Sequence, residues 1–88
     1  MRHRYVLEYV RDGVVVHHRR PGRASTNVTL KVARQYARVF AAALPVAGKS
    51  WGRRTGWLIR LVDRKTGLVV ASYENVYGVT GRPRVQVL

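Results

Sequence analysis

The chain has 88 residues, is 47% hydrophobic, contains no cysteine, and carries 17 Lys and Arg against 4 Asp and Glu, for a formal charge of +13. That length suits a single domain, residues 1–88, over one thin core, and the apolar content excludes a wholly disordered chain. Without cysteine there are no disulfides, thiolate metal sites or thiol nucleophiles, and no apolar run reaches the roughly 18 residues of a membrane span.

Residues 3–10 read as a strand, with Tyr5, Leu7 and Tyr9 on one side and Arg4, Val6, Glu8 and Val10 on the other. Asp12-Gly13 predicts a hairpin turn, because glycine accepts positive φ without a Cβ penalty. Residues 14–19 return as a β-branched second strand ending in His17-His18-Arg19. Pro21 and Gly22 then break the chain, and Thr26 and Asn27 are the best-placed candidate N-caps for a helix over residues 28–44.

That helix carries Leu30, Ala33, Ala37, Phe40 and Leu44 at spacings of three and four, with Val32, Tyr36 and Ala43 widening the stripe. Pro45 stops it. Residues 46–55 read as a loop. Residues 57–63 form a third strand, with Trp57, Ile59 and Leu61 alternating against Leu58, Arg60 and Val62. Asp63 to Gly67 is a longer turn, and residues 68–73 are its partner strand. Residues 74–80 have no clear pattern; Val76, Tyr77 and Val79 extend the strand or pack on the core. Residues 84–88 are a short edge strand or a tail.

The expected fold is therefore α+β, ordered β-hairpin, helix, β-hairpin, with an optional last strand. The helix covers one face of an antiparallel sheet. Sheet edges left open invite a symmetric homodimer.

The charge is the strongest functional signal. Only Glu8, Asp12, Asp63 and Glu74 oppose the cations, so the fold is expected to gather anions. Fourteen of the cations are Arg, which suits bidentate phosphate contacts and stacking. GC-rich coding would also favour Arg, but it would not remove the acids.

Three surfaces are candidates for nucleic-acid contact. The first is the basic segment from His17 to Arg23, at and beyond the end of the second strand, with Arg19, Arg20 and Arg23. The second is the outer helix stripe of Lys31, Arg34, Gln35 and Arg38, whose spacings of three, four and seven place them on one face. The third joins Lys49, Arg53 and Arg54 to the Arg64-Lys65 turn, with Trp51 between the cations as a base-stacking candidate or a core residue pinning its loop.

Tyr5, Tyr9 and Tyr73 form either an aromatic core layer or an exposed stacking platform, and a small core favours the former. His17 and His18 point to opposite sides of a strand and have no acidic or Cys ligand nearby in sequence, so no metal or cofactor is expected. Gly48-Lys49-Ser50 lacks the upstream glycine of a phosphate loop, position 43 being Ala, and follows a helix rather than a strand. With four acids and three histidines, two of the acids in turns, no catalytic constellation stands out.

The sequence thus predicts a non-enzymatic, cytoplasmic or nucleoid-associated protein that binds DNA or RNA, DNA ahead of RNA, without membrane contact. The alternative is an adaptor or regulator, of the kind phages and mobile elements carry, docking on an acidic protein partner.

Overall fold

The first hairpin forms where alternation and turn chemistry agree. In the computed structural model, which describes residues 4–21, 28–46, 56–78 and 80–88, strand β1 spans Tyr5–Arg11 and strand β2 spans Val14–Arg19. Asp12 and Gly13 both take positive φ, 51° and 82°, which gives the tight turn the right-handed strand twist prefers. The Asp12 amide also donates to the Gly56 carbonyl at 3.0 Å, fastening this turn to the start of the third strand. Gly56 itself has φ 69°, a left-handed conformation that favours glycine.

Helix α1 spans Leu30–Ala41. It starts two residues later than the 28–44 expectation because the Thr29 side chain, not Thr26 or Asn27, caps it, and it ends three residues earlier because Ala43 and Leu44 bond three residues back, to Phe40 and Ala41, in a closing turn. Thr29 is extended, and its Oγ1 accepts from the Val32 amide at 3.3 Å. Thr26 and Asn27 lie outside the described residues. Twelve residues give a helix of about 18 Å rather than about 25 Å.

Strands β3 (Trp57–Asp63), β4 (Leu68–Tyr77) and β5 (Pro83–Val87) follow. β4 runs four residues further than expected and absorbs Glu74, Asn75, Val76 and Tyr77. It does so because β5 pairs along that stretch, from Tyr73 opposite Val87 to Tyr77 opposite Pro83. The C-terminal segment is thus a strand.

All five strands join one antiparallel sheet in the order β2-β1-β3-β4-β5. The two hairpins meet through β1 and β3, with Leu7 opposite Leu61 and Tyr9 opposite Ile59. This register puts Tyr5, Leu7, Ile59, Leu61 and Tyr73 on the helix-covered face, all buried.

The sheet supplies the bulk of the core and the helix supplies closeness. Ala33, Ala37 and Ala41 are buried against the sheet, while Leu30 and Phe40 are only partly covered. Small side chains let α1 approach large ones such as Tyr73, Leu7 and Ile59. Of the residues expected to widen the apolar stripe, Tyr36 remains 37% exposed and Ala43 is also exposed. The neighbouring Val39 is 65% exposed. The aromatic layer is core rather than platform: Tyr5 and Tyr73 are buried and Tyr9 packs beside them.

One buried polar side chain locks the helix end to the sheet. Asn75 on β4 is buried, and its Nδ2 donates to the Ala42 and Leu44 carbonyls at 3.1 and 3.0 Å. Carbonyls at a helix C-terminus have no partners within the helix, so a side chain from the sheet completes the cap. No helix among the described residues is long and apolar enough to cross a membrane.

Candidate nucleic-acid interface

Three strand ends converge at one corner of the sheet. Tyr5 at the start of β1 sits opposite Asp63 at the end of β3, and Leu7 sits opposite Arg19 at the end of β2. The Arg64 amide donates to the Arg4 carbonyl at 2.7 Å, carrying the β1–β3 ladder one step past the strand. The result is an open cleft of about 440 Å³ lined by Tyr5, Val6, His18, Arg19, Arg20 and Arg64. Two of the separate sequence candidates, the segment after β2 and the turn after β3, are thereby joined into one site. Lys65 is exposed next to Arg64 in the same turn.

The charges at this corner are arranged in favour of an incoming anion. Among the described residues, three guanidinium side chains line the cleft and no carboxylate does. The acid next to Arg64 in the chain, Asp63, is already engaged. Its Oδ2 accepts from Arg4 Nη2 at 3.1 Å, and its Oδ1 accepts from Arg4 Nε at 3.3 Å and from the Lys65 amide at 2.9 Å. The Arg4 hydrogen bond, chiefly, holds the Asp63 carboxyl below its ordinary range, against the opposing effect of burial, and the amide bonds from the turn assist. Arg4 is correspondingly held above its own. Asp63 was read only as the first residue of a turn; its ion pair with Arg4 joins residues 59 positions apart in sequence, so no local signal announces it.

Arg19 is fixed from the other side. Its guanidinium carbon lies 3.8 Å from the centroid of the Phe40 ring on α1. His18 turns to the opposite sheet face, where its Nε2 approaches Glu8 Oε2 at 3.5 Å. The acid that His18 lacks in sequence therefore comes from the neighbouring strand. His17 takes the helix side and meets the Tyr9 ring edge-on, with centroids 5.6 Å apart.

The helix divides its surface into unlike flanks. At 100° per residue, Lys31, Arg34 and Arg38 share one flank, all exposed. The Arg38 guanidinium carbon lies 5.6 Å from the Tyr73 ring, so this flank leans toward β4. The opposite flank leans toward β2 through the Arg19–Phe40 stack. It is apolar, with a shallow hollow of about 350 Å³ lined by Val32, Gln35, Tyr36, Val39 and Phe40. Gln35 thus belongs to the hollow rather than to the cationic stripe. The two cationic surfaces lie on opposite sides of α1 and do not form one patch.

Arg23, Lys49, Trp51, Arg53 and Arg54 lie outside the described residues. Arg82 and Arg84 near and on β5 are exposed cations that sequence reasoning did not single out. Their signal was the residual positive charge of a segment whose strand character was ambiguous. Among the described residues no cluster of three His, Asp or Glu side chains is placed to hold a metal ion. Comparison of the chain with family models, with curated proteins and with solved structures finds no match.

Proposed function

We propose that this protein binds nucleic acid, DNA ahead of RNA, through the cleft where the ends of β1, β2 and β3 meet. The observation that carries this reading is the convergence of Arg19, Arg20 and Arg64 on one cleft without a lining carboxylate, in a chain of net charge +13. Arginine forks bind phosphate oxygens in pairs. A phosphodiester entering the cleft meets arginines from the ends of β2 and β3, with Arg19 held in place by Phe40 and the Asp63 carboxylate beside Arg64 occupied by Arg4. The Lys31, Arg34 and Arg38 flank provides a second phosphate track on the far side of the helix, which favours a duplex broad enough to reach both. The role is binding rather than catalysis.

The test is titration of labelled duplex DNA, single-stranded DNA and duplex RNA across a salt series. A steep linear fall of log affinity with log salt supports the reading, and the tightest probe names the substrate. Weak affinity equal for all three probes and lost near physiological salt would overturn it.

A second reading, docking on an acidic protein partner, is favoured by the hollow around Tyr36 and Val39. It is an exposed apolar patch bordered by Arg19. An adaptor of this kind would bind through the apolar flank of α1 and be unaffected by loss of Arg20 and Arg64, which line the cleft but not the hollow.

A further inference from the structure

The face of the sheet turned away from α1 differs in charge from the rest of the molecule. Register places Glu8, Arg60, Ser72 and Glu74 on it, with Leu58, Val62, Val69 and Val76 around them. Two of the four acids of the whole chain are here, and they offset Arg60 and Arg84. At the centre, Arg60 Nη2 approaches Glu8 Oε1 at 3.4 Å while His18 approaches the other carboxylate oxygen. Arg60 Nε is buried and has no acceptor among the described residues.

We propose that this face is where a second copy of the chain docks, sheet against sheet, in a twofold-symmetric dimer. Two chains of charge +13 repel each other over most of their surface, and this face is where carboxylates balance guanidinium groups. A polyanion or an acidic protein would instead meet Glu8 and Glu74. Valine and leucine side chains on the inner faces of paired sheets are what a sandwich of two sheets buries. The area suffices. Five strands about 4.8 Å apart and about seven residues long give a face on the order of 500 Å² in plan. Two such faces, corrugated by side chains, clear the roughly 1,000 Å² expected of a specific interface. The expectation of a dimer through the sheet edges is thereby moved to the open face, and both edges stay outside the interface.

The experiment is sedimentation velocity with light scattering on the full chain, without nucleic acid, from micromolar to near-millimolar concentration. The expected mass rises from 10.0 kDa toward twice that value. The double variant Val62→Lys/Val76→Lys is expected to weaken the dimer at least tenfold while circular dichroism and thermal melting stay those of a folded chain. If that variant fails to fold, Ser72→Arg places one bulky cation on the same face at an already polar position and gives the same readout. A wild-type chain monomeric throughout overturns the proposal. So does a dimer that survives the face variants, or one abolished by Tyr36→Lys on the helix flank instead. None of these outcomes depends on whether the cleft binds nucleic acid.

Discussion

Arg19 lies across the ring of Phe40, its guanidinium carbon 3.8 Å from the ring centroid. This single contact joins the end of β2 to α1 and holds one of the three cleft arginines beside the helix. Phe40 is only partly buried, so its role is divided between packing on the core and supporting Arg19.

Phe40→Ala is therefore expected to cost about 1–3 kcal/mol, below the roughly 3–5 typical of a fully buried aromatic. Phe40→Leu should restore much of that stability without restoring the ring beneath Arg19. Urea denaturation measures the first effect. Salt-dependent binding by the folded Leu variant measures the second, with a weaker affinity expected.

Asn75 presents a sharper case. Its amide donates to two carbonyls at the helix end, and Asn75→Ala removes that donor from the buried Leu44 carbonyl and the part-buried Ala42 carbonyl. The expected loss is about 1–3 kcal/mol. Asn75→Asp should fail as well, because a carboxylate accepts where the helix end needs a donor. Denaturation midpoints of the two variants check this, and an Asp variant as stable as the wild type would remove Asn75 from its capping role.

The Arg4–Asp63 pair makes stability depend on pH in one direction. The folded-state pKa of Asp63 is depressed, so its contribution is fully present above the unfolded carboxyl pKa of about 3.9 and fades as pH falls through the lower folded value. Thermal melting should therefore show acid destabilisation beginning near pH 4 and continuing below it. Asp63→Asn should flatten that part of the profile. It should also lower stability at neutral pH, where the wild-type pair is intact.

The cationic helix flank lies across α1 from the cleft. Reversing charge at Arg34 and Arg38 together is expected to leave the fold in place, since both are exposed. It should weaken nucleic-acid binding less than the loss of Arg19, Arg20 and Arg64. Equilibrium binding at one fixed salt concentration ranks the two sets of variants, and a reversed ranking would move the principal contact to the helix.

Much of the fold was readable in the residues, for local reasons. Alternation gave the inward side of β3 and of Tyr5 and Leu7 on β1, though Val10, expected on the outward side, is buried as well, and Asp12-Gly13 marked the first turn. What was not readable depends on contacts far apart in sequence. The helix stripe was too wide on paper because Val32, Tyr36 and Ala43 are as apolar as core residues. Only the approach of Ala33, Ala37 and Ala41 to the sheet shows which side turns inward. The extension of β4 through Asn75 looked irregular because Glu74 and Asn75 are poor strand formers. The pairing with β5 and the Asn75 bonds to the helix end supply what propensity lacked. Site residues were legible as charges but not as groups. Arg19 and Arg20 are some 44 positions from Arg64 in sequence, and the β2-β1-β3 strand order brings them together.

The most direct test of the cleft is the salt dependence of duplex-DNA binding by the wild type and by an Arg19→Ala/Arg20→Ala/Arg64→Ala variant. Each lost phosphate contact lowers the slope of log affinity against log salt by about 0.9 for duplex DNA. The slope for the variant is expected to be shallower by about two to three on that basis, with its fold retained. An unchanged slope in a folded variant would contradict the account, because the phosphates would then be held somewhere other than the meeting point of β1, β2 and β3.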